Sequence, residues 1–215
     1  MSYKVFIPKQ ILILLALSVV LNLVRIVLFG NSKLIYLLWN IFLATLPFVL
    51  SAVLLYFNSK KRLSNFLFIG GSIVWLILLP NAPYIVTDLI HIGYGPASQI
   101  FYNAVLLFSC ALTGLALGLY SISHMHKVFE SRFSKNTTST LVIIVMFLAS
   151  FGVAIGRFLR FNSWDILVNV NTLLKSISNV FIHPQLYVHV YIVTGTFFFF
   201  LFMTYSAWNY RILNK

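Results

Sequence analysis

"FLFIGGSIVWLILLPNAPYIVTDLIHI", residues 66–92, decides what kind of protein this is. From Phe66 to Leu79 the chain is apolar or small at every position. Pro80-Asn81-Ala82-Pro83-Tyr84 then interrupts the run, and Asp88, one of only three acidic residues in the protein, follows shortly after. The apolar run becomes long enough to cross a bilayer only if it includes the start of this polar motif, so the span ends inside the motif rather than before it.

The rest of the chain agrees. Of its 215 residues 60% are hydrophobic and 8% charged, and the mean hydropathy is +0.96. A soluble domain carries charge on about a quarter of its positions, so a bilayer must be the solvent here. Six stretches, 11–29, 34–57, 66–84, 100–123, 140–156 and 187–205, approach the roughly 20 residues that a helix needs to cross hydrocarbon. The sequence therefore predicts an all-α polytopic membrane protein, a single transmembrane domain over residues 1–215, with a broken or re-entrant segment after the third helix. The runs are too long and too uniform for a transmembrane barrel. Asn22 and Arg25 interrupt the end of the first run and no small-residue cleavage site follows, so it reads as a span rather than a cleaved signal. The single cysteine, Cys110, excludes an internal disulfide and reads as packing.

The net charge of +12 is informative through its distribution. With the N-terminus in the cytoplasm, Lys4, Lys9, Lys60, Lys61, Arg62, Lys127, Arg132, Lys135, Arg211 and Lys215 fall inside. Lys33, Arg157, Arg160 and Lys175 fall outside. The positive-inside rule thus predicts cytoplasmic N- and C-termini. The basic patches meet anionic lipid and require no nucleic acid. This threading puts the loops 80–99 and 157–186, which hold the unusual polar residues, on the same outer side.

In the first of these loops the prolines should stop or kink the third helix near Leu79, and Asn81 suits the turn. At helical spacing Tyr84, Thr87, Asp88 and His91 would form a polar face, with Ile85, Leu89 and Ile92 on an apolar one. A broken element at membrane depth requires protein or water around its backbone, as in a cavity wall. The second loop begins "GRFLRFNSWD", residues 156–165. Gly152 and Gly156 have the spacing that lets another helix approach. Arg157 and Arg160 would share a face, Asn162 and Asp165 have the spacing of a short-armed capping box, and Trp164 suits a membrane interface.

A structural account of these residues is available: the arginines snorkel, Asp165 caps, and Asp88 pairs with an arginine to clamp helices. An ionised carboxylate at the centre of a membrane helix nevertheless costs about 2.5–3.5 kcal/mol even on insertion scales, which favours a working site. Arg25 is a further candidate partner for Asp88 or Asp165, with Asn22 one turn below it. His183 and His189 could reach the site from a third element, whereas His124 and His126 sit among basic residues and read as interfacial.

The two motifs "PNAPYIVTDLIH" and "GRFLRFNSWD" resemble those of a bacterial membrane protein family known as domain of unknown function 1361. The likeness extends from the second span to the last. It implies a multi-pass protein of the bacterial cytoplasmic membrane and brings no activity with it. The chemistry leaves several classes open. In an outer-leaflet hydrolase or transferase, Asp88, His91 and Asp165 would be catalytic. Arg157, Arg160, Arg25, Asn81, Tyr84, Thr87, Asn162 and Ser163 would bind a lipid, lipoprotein or cell-envelope precursor. A variant uses Asp88, His91, Asp165, His183 and His189 as ligands of a divalent metal, although no HExxH or paired-cysteine motif supports it. The alternatives are an anion or lipid transporter, for which broken helices are apt, and a non-catalytic membrane assembly factor. Against transport, the polar groups gather at one boundary and the cytoplasmic halves of the helices hold little polar machinery.

Overall fold

The computed structural model describes the backbone of residues 8–30, 32–93 and 95–213, with side chains through 209. Lys4, Lys215 and the Arg211 side chain, counted in the charge distribution, lie outside the described residues. Among those residues the fold is helical without strands, and six helical stretches are long and apolar enough to cross a membrane. The chain divides into two compact units, Met1–Ser131 and Arg132–Lys215.

The first unit contains α1 (Lys9–Phe29), α2 (Tyr36–Ser59), α3 (Asn65–Leu78), the single turn α4 (Asn81–Tyr84), a 3₁₀ segment (Ile85–His91) and α5 (Ala97–Glu130). Gly30 ends α1 in the left-handed conformation, φ 61°, which a residue without Cβ adopts freely. Ser64 caps α3 by accepting the Leu67 N–H. The 34 residues of α5 rise about 51 Å at 1.5 Å each. This helix is the axis of the unit: α1, α2, α4 and the 3₁₀ segment all pack on it. Helix α1 shows the pattern that hydrocarbon imposes. Its buried residues are Ile11, Ser18, Asn22 and Arg25, while Leu12, Ile13, Leu23 and Val27 are exposed. Polar groups face protein and apolar ones face lipid.

The third span follows the prolines rather than ending at them. The α-helix stops at Leu78, yet Leu79, Pro80, Tyr84, Ile85 and Ile92 all keep right-handed helical dihedrals. Pro80 and Pro83 have no N–H to give, so the ladder tightens: the Ala82 N–H bonds the Leu79 carbonyl at 3.1 Å. The Leu78 carbonyl accepts instead from Asn81 Nδ2 at 2.9 Å. The amide thus compensates for the register change that the prolines impose. Helical structure continues to His91, and the apolar stretch with it.

Gly114 and Gly118 of α5 make this arrangement fit. A Cβ on Gly114 would stand 2.5 Å from the Ala82 carbonyl oxygen, and one on Gly118 would stand 3.3 Å from the Ala82 Cβ. A small-x-x-x-small pair on the axial helix therefore receives the Pro-Asn-Ala-Pro turn backbone to backbone.

Polar contacts also tie α2, α3 and α5 together within their helical stretches. Trp75 Nε1 donates to Ser121 Oγ at 2.7 Å, and Ser121 Oγ donates to the carbonyl of Pro47, inside α2, at 2.9 Å. His124 is buried, 3.2 Å from Ser51 Oγ through Nδ1 and stacked near Phe48. It is a core histidine between α2 and α5. His126 lies 3.5 Å from Glu130.

The second unit contains α6 (Lys135–Ala154), a π-helical turn (Ile155–Leu159), the single turn α7 (Asp165–Val168), α8 (Val170–Ile182), a short 3₁₀ turn (Pro184–Leu186) and α9 (Val188–Leu213). Ser134 caps α6 through the Thr137 N–H. Helices α6 and α9 pack along each other, with Phe147 and Phe198 edge to face. Ala154, Val180 and Val190 close a small core at one end. The fifth span gains its length by running through the π turn to Leu159.

Candidate functional site

Within the first unit the 3₁₀ winding of residues 85–91 decides which side chains line up. A 3₁₀ helix has three residues per turn, so positions three apart eclipse. Ile85, Asp88 and His91 therefore form one row, and Tyr84, Thr87 and Ile90 another. The expected four-residue polar face assumed α-helical spacing and is split by the tighter winding. The first row faces inward: Ile85 is fully buried and Asp88 is 2% exposed, whereas Ile90 in the second row is 68% exposed. Thr87 Oγ1 donates to the Tyr84 carbonyl, which occupies the hydroxyl locally.

Helix α2 supplies the partners. Asn40 Nδ2 donates to Asp88 Oδ2 at 2.8 Å. One turn earlier, the Tyr36 ring meets the His91 ring edge to face at 6.1 Å between centroids. Two residues a turn apart on α2 thus engage two residues a turn apart on the 3₁₀ segment. The carboxylate is deep and His91 and Asn40 are half-buried.

Arg25 is as deeply buried as Asp88, at 2%. Its Nε donates to Asn103 Oδ1 of α5 at 2.8 Å, and Tyr102 Oη donates to the Leu21 carbonyl. Below this pair a polar seam continues between α1 and α5. Asn22 Nδ2 reaches the Ser18 carbonyl and lies 3.8 Å from Cys110 Sγ, and the hydroxyls of Ser18 and Thr113 are 2.9 Å apart. Polar groups buried in hydrocarbon must find such partners. The seam runs from Arg25, near the end of α1, to Ser18 at its middle, so the buried polar groups are not confined to the helix ends.

In the second unit the π turn carries Gly156 and Arg157, and Arg160 follows in the left-handed conformation, φ 58°. A π turn is wider than an α turn, and the left-handed residue leaves the helical course. The 3.6-residue periodicity that would have placed the two arginines on one face does not extend through them. Arg157 is half-buried and Arg160 exposed. Asp165 is buried and fixes the loop: its Oδ2 accepts the Asn162 N–H at 2.6 Å and its Oδ1 accepts from Asn169 Nδ2 at 2.9 Å. The first of these is the reaching-back half of the capping-box geometry. The Asn162 N–H, and then the Asn169 amide, hold the Asp165 carboxyl below its ordinary value of 3.8. Asn162 is exposed and Ser163 half-buried beside it.

His183 and His189 are both exposed. The His189 ring packs against Phe158 at 4.6 Å between centroids. Asp88, His91, Asn81, Tyr84, Thr87 and Arg25 belong to the first unit, and Arg157, Arg160, Asn162, Ser163, Asp165, His183 and His189 to the second. Among the described residues no group of three or more His, Cys, Asp or Glu is placed to hold a metal ion.

The family model described as "Protein of unknown function (DUF1361)" matches residues 39–205. The chain belongs to this family. The match takes in Asn40, the 79–92 segment, the axial helix with Asn103, Gly114 and Gly118, and the GRFLRFNSWD loop; α1, with Ser18, Asn22 and Arg25, precedes it. No curated protein and no solved structure matches the chain.

Sequence reasoning missed Tyr36, Asn40, Asn103 and the Gly114/Gly118 pair. Asn40 and Asn103 carried a usable signal, since an amide within or at the edge of an apolar span demands a partner. Their particular partners depend on how three helices pack, which a hydropathy pattern does not encode.

Proposed function

We propose that the protein is a membrane-embedded hydrolase or transferase acting at the extracytoplasmic boundary of the bacterial cytoplasmic membrane, on a lipid-linked or otherwise anionic cell-envelope precursor. The observation that carries this reading is the placement of a buried carboxylate, Asp88, and a half-buried imidazole, His91, in one row, a 3₁₀ turn apart. His91 acts as general base: it takes the proton of water or an acceptor hydroxyl as that oxygen attacks the ester or phosphoester, then returns it to the leaving oxygen. Asp88, held by Asn40, orients the ring and stabilises its protonated form. Within the second unit Arg157 and Arg160 offer guanidinium groups to anionic lipid, as such groups do. Arg25 adds a fixed positive charge within the first unit. Asp165 positions the GRFLRFNSWD loop and does not transfer protons, because both its oxygens already accept loop donors.

A second reading, an anion or lipid carrier, is favoured by one observation: the Arg25–Asn103 pair continues inward as the Ser18–Thr113 seam. Native mass spectrometry of the purified protein separates the two. Under the enzyme reading, His91→Ala retains a bound anionic envelope lipid that the wild type converts. If wild type and variant hold the same unchanged lipid, the protein is a carrier. If neither holds any, both readings fail.

A further inference from the structure

Helix α8 differs in kind from the spans around it. Its hydrophobic residues fall in an arc. Leu173 and Val180 form the buried edge, and Val170, Leu174 and Phe181 form an adjacent exposed edge, at 43%, 56% and 61%. Asn171, Lys175 and Asn179 follow one another at four-residue spacing on the polar side, and a shallow groove lined by Asn171, Leu174, Lys175, Ser178 and Asn179 runs between that side and the apolar edge. This is the composition of a helix that lies along a boundary rather than across it: a large apolar arc, a polar face, and too few residues to span.

The buried edge fixes where that boundary is. Val180 packs on Ala154, at the end of α6, and on Val190, at the start of α9. Its carbonyl also accepts from Tyr191 Oη at 2.8 Å. Both contacted helices belong to membrane-crossing stretches, Lys135–Leu159 and Val188–Asn209. Helix α8 is therefore anchored at the level where two spans leave hydrocarbon. Its exposed apolar edge adjoins one of those spans, the Phe181 ring lying 5.9 Å from that of Phe151 in α6. Trp164, itself exposed, precedes it as an interfacial residue would.

We propose that α8 lies in the plane of the membrane–water boundary, with Val170, Leu174 and Phe181 among the upper acyl chains of one leaflet and Lys175, between Asn171 and Asn179, among phospholipid headgroups. The occupant of the apolar edge is lipid. The bilayer that covers the flanking spans covers this edge too, since Phe181 of the edge packs on Phe151 of α6.

The test uses the full chain in a Cys110→Ser background. Single cysteines at Leu174, Phe181 and, on the other face, Asn179 are labelled with an environment-sensitive fluorophore. The protein is reconstituted into phosphatidylcholine–phosphatidylglycerol vesicles. All three positions are exposed, so the substitutions leave the fold intact. The labels at Leu174→Cys and Phe181→Cys should show blue-shifted emission and be quenched by lipids brominated near the top of the acyl chain. The label at Asn179→Cys should be quenched by aqueous iodide. Equal iodide quenching on both faces would overturn the proposal. So would shielding of Leu174→Cys and Phe181→Cys from both quenchers, which would mean that protein, not lipid, covers the edge.

Discussion

Asp88 and Asn40 meet at 2.8 Å between the 3₁₀ segment and α2, an amide from one element holding a nearly buried carboxylate from the other. A hydrogen bond to a charged group contributes about 1.5–3 kcal/mol. Asn40→Ala should therefore destabilise the protein by about that amount in detergent unfolding experiments. Combined with Asp88→Asn, the two losses should be less than additive. Strict additivity would mean that the two groups do not support each other.

The Gly114–Ala82 approach gives a sterically graded prediction. Gly114→Ala pushes a methyl group against a backbone carbonyl at 2.5 Å, whereas Gly118→Ala meets the Ala82 methyl at 3.3 Å. Overpacking of this kind costs about 1–3 kcal/mol. Gly114→Ala should lower the melting temperature clearly and Gly118→Ala much less. Equal effects would contradict the backbone-to-backbone seating of the Pro-Asn-Ala-Pro turn.

These residues also mark the limit of what could be read in advance. The six spans were legible because hydrocarbon imposes length and apolarity, and the prolines announced where α3 would end. Two things were not legible. The 3₁₀ winding after Pro83 regroups Asp88 with Ile85 and His91, and the π turn before Arg160 separates the paired arginines. Both change the number of residues per turn, and side-chain hydropathy does not report that number. Polar partners such as Asn40, Asn103 and Ser51 came into view only with the packing of α2 and α5, because an amide in a span announces a need and not an address.

Asp165 predicts a pH dependence. Its folded-state pKa is depressed below 3.8, so the folded protein binds this proton less readily than the unfolded chain does. The resulting stabilisation is complete well above the ordinary value of 3.8 and disappears as pH falls through the lower folded value. Amide exchange in the loop 160–169, expressed relative to its intrinsic rate, should accelerate below about pH 4. In Asp165→Asn it should already be fast at neutral pH and show no such step. A loop whose exchange is the same in both proteins at neutral pH would contradict the role given to this carboxylate.

The charge distribution predicts the threading. In a Cys110→Ser background, single cysteines at Ser98 and Asn169 should react with a membrane-impermeant thiol reagent in intact cells, and one at Ser59 should not. Labelling at Ser59 alone would reverse the topology and place both polar loops in the cytoplasm.

The central claim is that His91 performs proton transfer rather than holding helices together. Its most direct test is the envelope-lipid profile of cells lacking the protein and complemented with wild type or His91→Ala, measured together with the abundance and melting temperature of each form. A general base contributes about 100- to 10,000-fold to rate, far more than a half-buried ring contributes to folding. The account predicts that His91→Ala is inserted, abundant and close to wild type in melting temperature, yet reproduces the profile of the cells without the protein. A variant that restores the wild-type profile, or whose loss of effect tracks its loss of abundance and stability, would contradict it.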